Sequence, residues 1–410
     1  MKKGQFESHV LVLVTLGLVA FGLVMVYSAT SAPAALAKTD PMSYLKKQGG
    51  YALFGVVLMM AASRFDYRRL RLLAPGLVLT ALVGCLAVLA IGARINGARR
   101  WIEFGPATFQ PSELAKLAVA VWVAAYLSRR PAPRTLRELW RPIGLLLGVF
   151  CLLILAEPDL GTAIALVVVV LAVLVVSGTP GVTLASAGAI AVTLGLLAIW
   201  FEPYRRARIF SFLDPWKDPQ GAGFQTVQAL ISLGSGGPFG VGLGHGVAKI
   251  NYLPEAHTDM ILGVIGEELG LVGVAAVLAA FVVFAWAGLR VALTCKDPFG
   301  KRLAVGVVAL VSGQAVINLA AVLGLAPLTG IPLPFISYGG SSLVVLLASV
   351  GILLNIAHRG STAAVAVPDR GRGNGGTRRA VARGRGSAAA TRRARDVRRV
   401  AGSHRDAARS

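Results

Sequence analysis

Ten apolar runs constrain this chain more than any other feature. They lie near residues 9–29, 50–63, 72–92, 111–127, 143–156, 160–177, 181–200, 259–289, 303–323 and 340–357. Hydrocarbon offers no partner for a backbone N–H or C=O, so a run of this kind crosses a bilayer as a helix or within a closed barrel. Runs of about 20 residues suit the helix, which spans a core about 30 Å thick in that length. The reading is all-α: a polytopic integral membrane protein with ten transmembrane helices. The run at 143–156 is short and its ends are the least defined. Hydrophobic residues make up 55% of the chain and the mean hydropathy is +0.70, which excludes an ordinary soluble globule.

An even number of spans puts both termini on one side, and Lys and Arg in the short loops choose that side. Arg64 to Arg71, Ser128 to Arg141 and Arg290 to Arg302 fall on the same side as Lys2 and Lys3. Both termini are therefore expected in the cytoplasm. Residues 1–358 form the membrane domain, with a large extracytoplasmic loop at about 201–258 between helices 7 and 8. Residues 359–410 form a basic tail rich in Arg, Ala and Gly, without apolar periodicity, and are expected to be disordered. The net charge is +22, and residues 361–410 carry 13 Arg against Asp369, Asp396 and Asp406. Such a tail suits anionic membrane lipids; with no aromatic residue interleaved to stack on bases, no nucleic-acid partner is read from it. The N-terminus imitates a signal peptide up to Ala35-Leu36-Ala37. Its apolar run is too long and the small-residue motif too late, so an uncleaved first span is expected. Cys85, Cys151 and Cys295 are far apart, form no C-x-x-C pair and read as small core residues.

The outer loops hold cations against the orientation signal: Arg94, Arg99, Arg100, Arg205, Arg206, Arg208, Lys217 and Lys249. An anionic ligand would account for them, as would lipid headgroups. Within the long loop, Phe224 to Leu233 reads as an amphipathic piece at the interface. The following Gly234 to Gly246 has seven glycines but matches no nucleotide-binding pattern.

The stretch from Asn251 to Gly270 joins that loop to an apolar run. Pro254 suits a first helical position. At about 100° per residue, Gly263, Gly266, Gly270 and Gly273 then fall within about 40° of Asp259. Glu255 lies on the same side and His257 roughly opposite. Such a stripe admits a neighbouring helix or a long thin ligand. Asp259 is either a general base at the edge of hydrocarbon or an acid that only favours the helix dipole. In Gln110-Pro-Ser-Glu113-Leu-Ala-Lys116, Glu113 and Lys116 share a helical face. They form an internal pair, or Lys116 points into an outer cavity to hold phosphate. Upstream, Asn96-Gly-Ala-Arg-Arg-Trp101 supplies Arg99 and Arg100. Glu157-Pro-Asp159 reads as a turn with a capping acid. Gln314 and Asn318, at i and i+4, suit helix–helix hydrogen bonds. Pro332 to Ser342, which contains Ser337, breaks the backbone before the last span.

Together these segments resemble the SEDS family (shape, elongation, division and sporulation proteins). The matching stretches are Asn96 to Ile102, Gln110 to Lys116, Glu157 to Gly161, Tyr252 to Asp259 with Gly266 to Gly270, and Ile336 to Ser342. They occur in family order, and the resemblance covers about residues 9–358. The Asn96 and Tyr252 stretches look like the division branch, whereas Thr329 to Phe335 looks more like the elongation branch; the division type is preferred. The resemblance implies an inverting peptidoglycan glycosyltransferase that polymerises lipid II, an undecaprenyl-pyrophosphate disaccharide-pentapeptide, at the outer face of the cytoplasmic membrane at the septum. The family's essential aspartate falls on Asp259, the expected base. Lys116, oriented by Glu113, and Arg99, Arg100 or Arg205 would stabilise the leaving pyrophosphate. Lys249, Glu255, His257 and Ser337 complete the candidate substrate-binding set. A divalent cation, Mg2+ or Mn2+, is a candidate aid, with no organic cofactor. A class B penicillin-binding protein transpeptidase and other divisome proteins are the implied partners. The alternatives are a lipid II flippase or other transporter, an elongation polymerase, and a scaffold for cell-wall enzymes.

Overall fold

A computed structural model describes residues 5–36, 38, 40–95, 98–105, 107–250 and 252–360. The disorder expected of the tail falls outside these residues, apart from Arg359 and Gly360, which end the last helix. In order the elements are α1 (Gln5–Leu36), α2 (Ser43–Arg64), α3 (Leu70–Ile91), β1 (Ala93–Ile95), β2 (Ala98–Phe104), β3 (Ala107–Phe109), α4 (Pro111–Ser128), α5 (Leu136–Leu139), α6 (Leu145–Ala156), α7 (Leu160–Ser177), α8 (Gly181–Trp200), α9 (Pro203–Leu213), α10 (Phe224–Ser235), α11 (Ile261–Thr294), α12 (Pro298–Val322) and α13 (Gly340–Gly360).

The ten apolar runs all fall on helices. Among the described residues, eight helical stretches are long and apolar enough to cross a membrane: α1, Tyr67–Ile91, Leu136–Ala156, α7, α8, α11, α12 and α13. This is the architecture of a polytopic membrane protein. The helices α2 and α4 are not among the eight. Lys46, Lys47 and Arg64 lie in α2, and Glu113 and Lys116 in α4, and these charges dilute otherwise apolar sequences. The all-α expectation also misses a small antiparallel sheet, ordered β1-β2-β3, between α3 and α4.

Packing relies on small residues, as membrane helices do when no water is available to drive apolar faces together. On α13, a Cβ added at Gly351 would stand 2.3 Å from the Met59 carbonyl oxygen of α2. Two buried clusters form the core. One draws on α1, α2 and α11 to α13, the other on α3, α6 and α7, and α4 contributes to both. Accordingly α4 is buried on nearly every side, while α8 has Thr183 as its one buried residue.

The stretch from Asn251 to Gly270 departs most from expectation. Pro254 does not start the helix: residues 252–260 form turns, and α11 begins at Ile261 with Met260 as its N-cap. Asp259 therefore sits in the turn, not at the head of a helical stripe. The helix breaks again at Gly270, where φ is 64° and ψ −161°. That left-handed backbone suits glycine, and a Cβ there would lie 2.4 Å from the Gly240 nitrogen. The glycine-rich loop repairs the interrupted ladder. Val241 and Gly242 donate to the carbonyls of Glu267 and Glu268, both at 3.0 Å, while Leu271 and Val272 donate to the carbonyls of Gly237 and Pro238 at 2.9 and 3.1 Å. Gly263 faces Leu253 and Ser232, and Gly266 faces Leu233 of α10. Of the two readings of the stripe, the approach of another helix is what the structure shows: α10 packs on Gly263 and Gly266, with Leu253 beside it and the glycine-rich loop at Gly270.

Candidate active site

Five stretches far apart in sequence meet through hydrogen bonds at one end of the bundle. Arg100 on β2 donates to the carbonyls of Glu157 (2.9 Å) and Pro158 in the α6–α7 turn. The Gln110 side chain, just before α4, reaches Asp159 Oδ2 at 3.2 Å, and its backbone N–H donates to Ser341 Oγ at 3.2 Å. Tyr338 donates its backbone N–H to the His257 carbonyl at 2.8 Å. Asn318 of α12 clamps the centre: its Nδ2 donates to the Asp259 carbonyl at 2.7 Å and to the Ile331 carbonyl at 2.8 Å. The segment 329–331 is held from the other side, because a Cβ on Gly161 of α7 would lie 2.7–3.0 Å from Ile331 and Thr329.

Asp259 is half-buried within this frame. Burial pushes its carboxyl up to about 6; the Glu255 charge adds to the rise, and Arg208 of α9 opposes it. Thr258 Oγ1 stands between the two acids, 3.0 Å from Glu255 Oε2 and 3.3 Å from Asp259 Oδ1. Arg208 is itself anchored, donating to the Leu328 carbonyl at 3.2 Å. Across from the carboxylate is Gly330, with φ 74°; the nearest atom to a Cβ built there is Asp259 Oδ2, at 4.0 Å. Backbone without a side chain therefore flanks the acid.

The other expected site residues have varied surroundings. Lys116 Nζ lies 2.8 Å from Glu113 Oε1, and both side chains are buried inside the bundle. Arg99 donates to the carbonyls of Leu89 and Ala90 at the end of α3. Arg205 donates to those of Leu155 and Ala198, near the ends of α6 and α8. These guanidinium groups bind helix C-terminal carbonyls, which otherwise lack partners. Lys249 is 2.6 Å from Glu268 Oε1 and also meets Ser28 Oγ (3.1 Å) and the Gly244 carbonyl (2.9 Å). Ser337 Oγ accepts the Leu333 N–H at 2.8 Å. The His257 ring packs edge-on against Tyr44, with centroids 4.8 Å apart, and burial lowers its pKa despite Glu255. Glu157, fully buried in the α6–α7 turn, is pushed up to about 8 by burial, with Asp159 adding to the rise and Arg100 opposing it.

Two contributors were not singled out from sequence. Arg208 was one of several loop cations, and nothing in its spacing marked it as the one whose charge acts on Asp259. Asn318 was read as helix glue, and its polar side chain in an apolar helix was the available signal. Among the described residues no group of three or more His, Cys, Asp or Glu could hold a metal ion.

Comparison with known proteins places the chain in a family. The model of the FtsW/RodA/SpoVE family, described as cell cycle protein, matches residues 8–362. The chain is 43% identical over 357 residues to a probable peptidoglycan glycosyltransferase FtsW of Geobacter sulfurreducens, covering 85% of this chain and 95% of the relative. It is 39% identical over 350 residues to stage V sporulation protein E of Bacillus subtilis, covering 84% and 95%. Among solved structures, a chain of a peptidoglycan synthase complex that coordinates polymerization and crosslinking superposes with a TM-score of 0.71 at 33% identity, covering 85% of this chain and 97% of that one. The rod shape determining protein RodA of Thermus thermophilus gives 0.63 at 30% identity, covering 85% and 96%. In both sequence and fold, then, the chain belongs to the FtsW/RodA/SpoVE family of cell cycle proteins.

Proposed function

We propose that this protein is a peptidoglycan glycosyltransferase that polymerises lipid II at the outer face of the cytoplasmic membrane, in septal wall synthesis. The observation that carries the reading is Asp259: a half-buried carboxyl raised to about 6, flanked by the side-chain-free Gly330, with Arg208 acting on it. A base with that pKa is mostly ionised at pH 7, by roughly ten to one, yet basic enough to accept a proton. In the reaction, Asp259 takes the proton of an acceptor sugar hydroxyl. The hydroxyl oxygen bonds to the donor's anomeric carbon from the face opposite the pyrophosphate. The carbon–oxygen bond to pyrophosphate breaks, its electron pair leaves with the phosphate, and the anomeric centre inverts. Arg208 stabilises the departing charge, an interaction worth more in a site shielded from water. The other expected cations are engaged within the fold, Lys116 with Glu113 and Arg99, Arg100 and Arg205 with backbone carbonyls.

Mg2+ or Mn2+, when bound, would neutralise pyrophosphate charge. Mg2+ typically takes one or two carboxylates together with substrate phosphates. Glu255 beside Asp259 fits that mode better than an all-protein cage would. The topology that goes with this function counts α2 and α4 with the eight apolar stretches, for ten spans with cytoplasmic termini. The name of the Geobacter relative favours the division role. Kinship to a chain from a complex that polymerises and crosslinks favours a class B penicillin-binding protein transpeptidase as partner, beside other divisome proteins.

The test is polymerisation of labelled lipid II by the purified protein, with and without such a partner. Glycan strands from the wild type and none from a folded Asp259→Asn protein that still binds lipid II are expected. Normal polymerisation by that variant would remove Asp259 from the base role, and lipid movement without polymer would make the protein a transporter.

A further inference from the structure

The end of the bundle away from Asp259 holds a pocket of 250 Å3 between the start of α3 and the last turns of α4. It is lined by Arg71 and Pro75 of α3, by Trp122 and Tyr126 of α4, and by Arg129 and Arg130 just beyond α4. The helix α4 begins at Pro111, next to the Gln110 that bonds Asp159, and its 18 residues set its two ends about 27 Å apart. We propose that this pocket binds the phosphodiester headgroup of an anionic phospholipid, in the leaflet opposite the reaction site. That this is the cytoplasmic leaflet rests on the glycosyl-transfer reading, which puts Asp259 at the outer face.

Charge selects the ligand. Three arginines line the pocket and no acidic residue does. Each guanidinium carries five N–H donors, and few of these are used. Arg71 reaches Asp297 at 3.5 Å, longer than a good hydrogen bond. That carboxylate is already the cap of α12, where it accepts the N–H groups of Phe299 and Gly300. The Arg71 Nε is buried without a hydrogen-bond partner. Arg130 gives one donor to the Tyr126 hydroxyl at 3.1 Å, with its guanidinium 5.0 Å from the ring centroid. Among the described residues neither Arg129 nor Arg130 forms an ion pair. Phosphate oxygens match such forks, two oxygens to two N–H groups. Arg129 and Arg130 also suit the negative end of α4, but that end does not call for Arg71, on another helix, or for the cavity between them.

The surroundings select a lipid over a soluble phosphate. Trp122 and Tyr126 stack with ring centroids 5.3 Å apart, the kind of aromatic wall that sits at the level of lipid headgroups. From Pro75 an exposed apolar ridge climbs α3 through Leu79, Val83 and Leu86. That spacing keeps the ridge on one helical face. A phosphate seated among the arginines therefore leaves its acyl chains beside the ridge, in hydrocarbon. A soluble phosphate ester has nothing to lay there.

The test measures lipid retention by the full-length protein in detergent, read by native mass spectrometry. The probes are dioleoyl phosphatidylglycerol, dioleoyl phosphatidylcholine and soluble glycerophosphate. The wild type is expected to keep phosphatidylglycerol in preference to phosphatidylcholine, whose acyl chains are the same. Arg129→Gln/Arg130→Gln changes only exposed side chains and should weaken phosphatidylglycerol binding by about tenfold or more. Adding Arg71→Gln should abolish the preference. Arg68→Gln/Arg69→Gln removes the same charge from exposed positions outside the pocket and should bind within about twofold of the wild type. The proposal fails if Arg129→Gln/Arg130→Gln binds like the wild type, or if Arg68→Gln/Arg69→Gln loses as much, which would make the effect one of net charge. It also fails if glycerophosphate displaces the lipid at equal concentration, which would make the pocket a site for soluble phosphate esters. Retention is read without turnover. Polymerisation by Asp259→Asn would therefore overturn the base assignment and leave the pocket to its own test.

Discussion

Asp259 and Glu268 are nine residues apart, and both belong to the region where the long loop meets α11. Their surroundings are opposite. Glu268 is fully buried, with Lys249 Nζ at 2.6 Å and the Ser28 hydroxyl at 2.7–2.8 Å from its two oxygens. Its neighbour Glu267 accepts the backbone N–H groups of Val247 and Ala248. These acids fasten the glycine-rich loop to α11 and α1. Asp259 lies against another carboxylate, a threonine hydroxyl and an arginine that acts on it by charge. The ammonium and hydroxyl around Glu268 make it a fixed tie between elements. Asp259, whose pKa burial and the neighbouring Glu255 raise, can accept a proton. The difference separates a fastening from a base.

The comparison can be broken at either end. The largest effect is expected at Asp259: the Asn variant should lose about 10²- to 10⁴-fold in turnover, the range of a general base, with lipid II binding retained in a pull-down. At the other end, Lys249→Met leaves a buried carboxylate uncompensated. It should destabilise the fold by about 3–5 kcal/mol, and a Lys249→Met/Glu268→Leu double variant should recover most of that loss in thermal unfolding. If the single Lys249 variant is as stable as wild type, the fastening role fails.

The third prediction is a pH profile. Asp259 must be ionised to act, so kcat/KM should rise with pH through a midpoint of about 6 and then level off. Glu255 raises that midpoint, so Glu255→Gln should lower it; Arg208 lowers it, so Arg208→Ala should raise it. A midpoint that ignores both substitutions would separate the observed titration from Asp259. The smallest effect is at the clamp. Asn318→Ala removes two hydrogen bonds worth about 0.5–1.5 kcal/mol each, and a fall in kcat of about tenfold with little change in KM is expected. An equal loss of thermal stability with unchanged kcat would make Asn318 structural only.

Much of this was legible in the chain. The ten apolar runs became helices because helix formation in an apolar setting is dictated by length and by the need to pair backbone groups locally. Phe224 to Leu233 became α10, extended by two residues, since its amphipathic pattern needs no distant partner. The Glu113–Lys116 pair likewise followed from a spacing of three. Where the reading went wrong, a distant contact outweighed a local preference. Pro254 is acceptable at a helix start, yet Asn318 and Tyr338 bind the Asp259 and His257 carbonyls and hold 252–260 as a turn. The four glycines at helical spacing admit a neighbouring helix, and α10 packs on two of them, but the break at Gly270, which the loop enters, has no signal in that spacing.

The sequence by itself determined that the chain is a bundle of apolar helices with acids and cations at their ends, and it pointed to Asp259. Those conclusions rest on periodicity, hydropathy and motif, which are local. Tertiary structure decided which cations stand near Asp259 and which acids are neutralised. A charge acts through its distance to other charges and its access to water, and neither quantity is set by position in the chain.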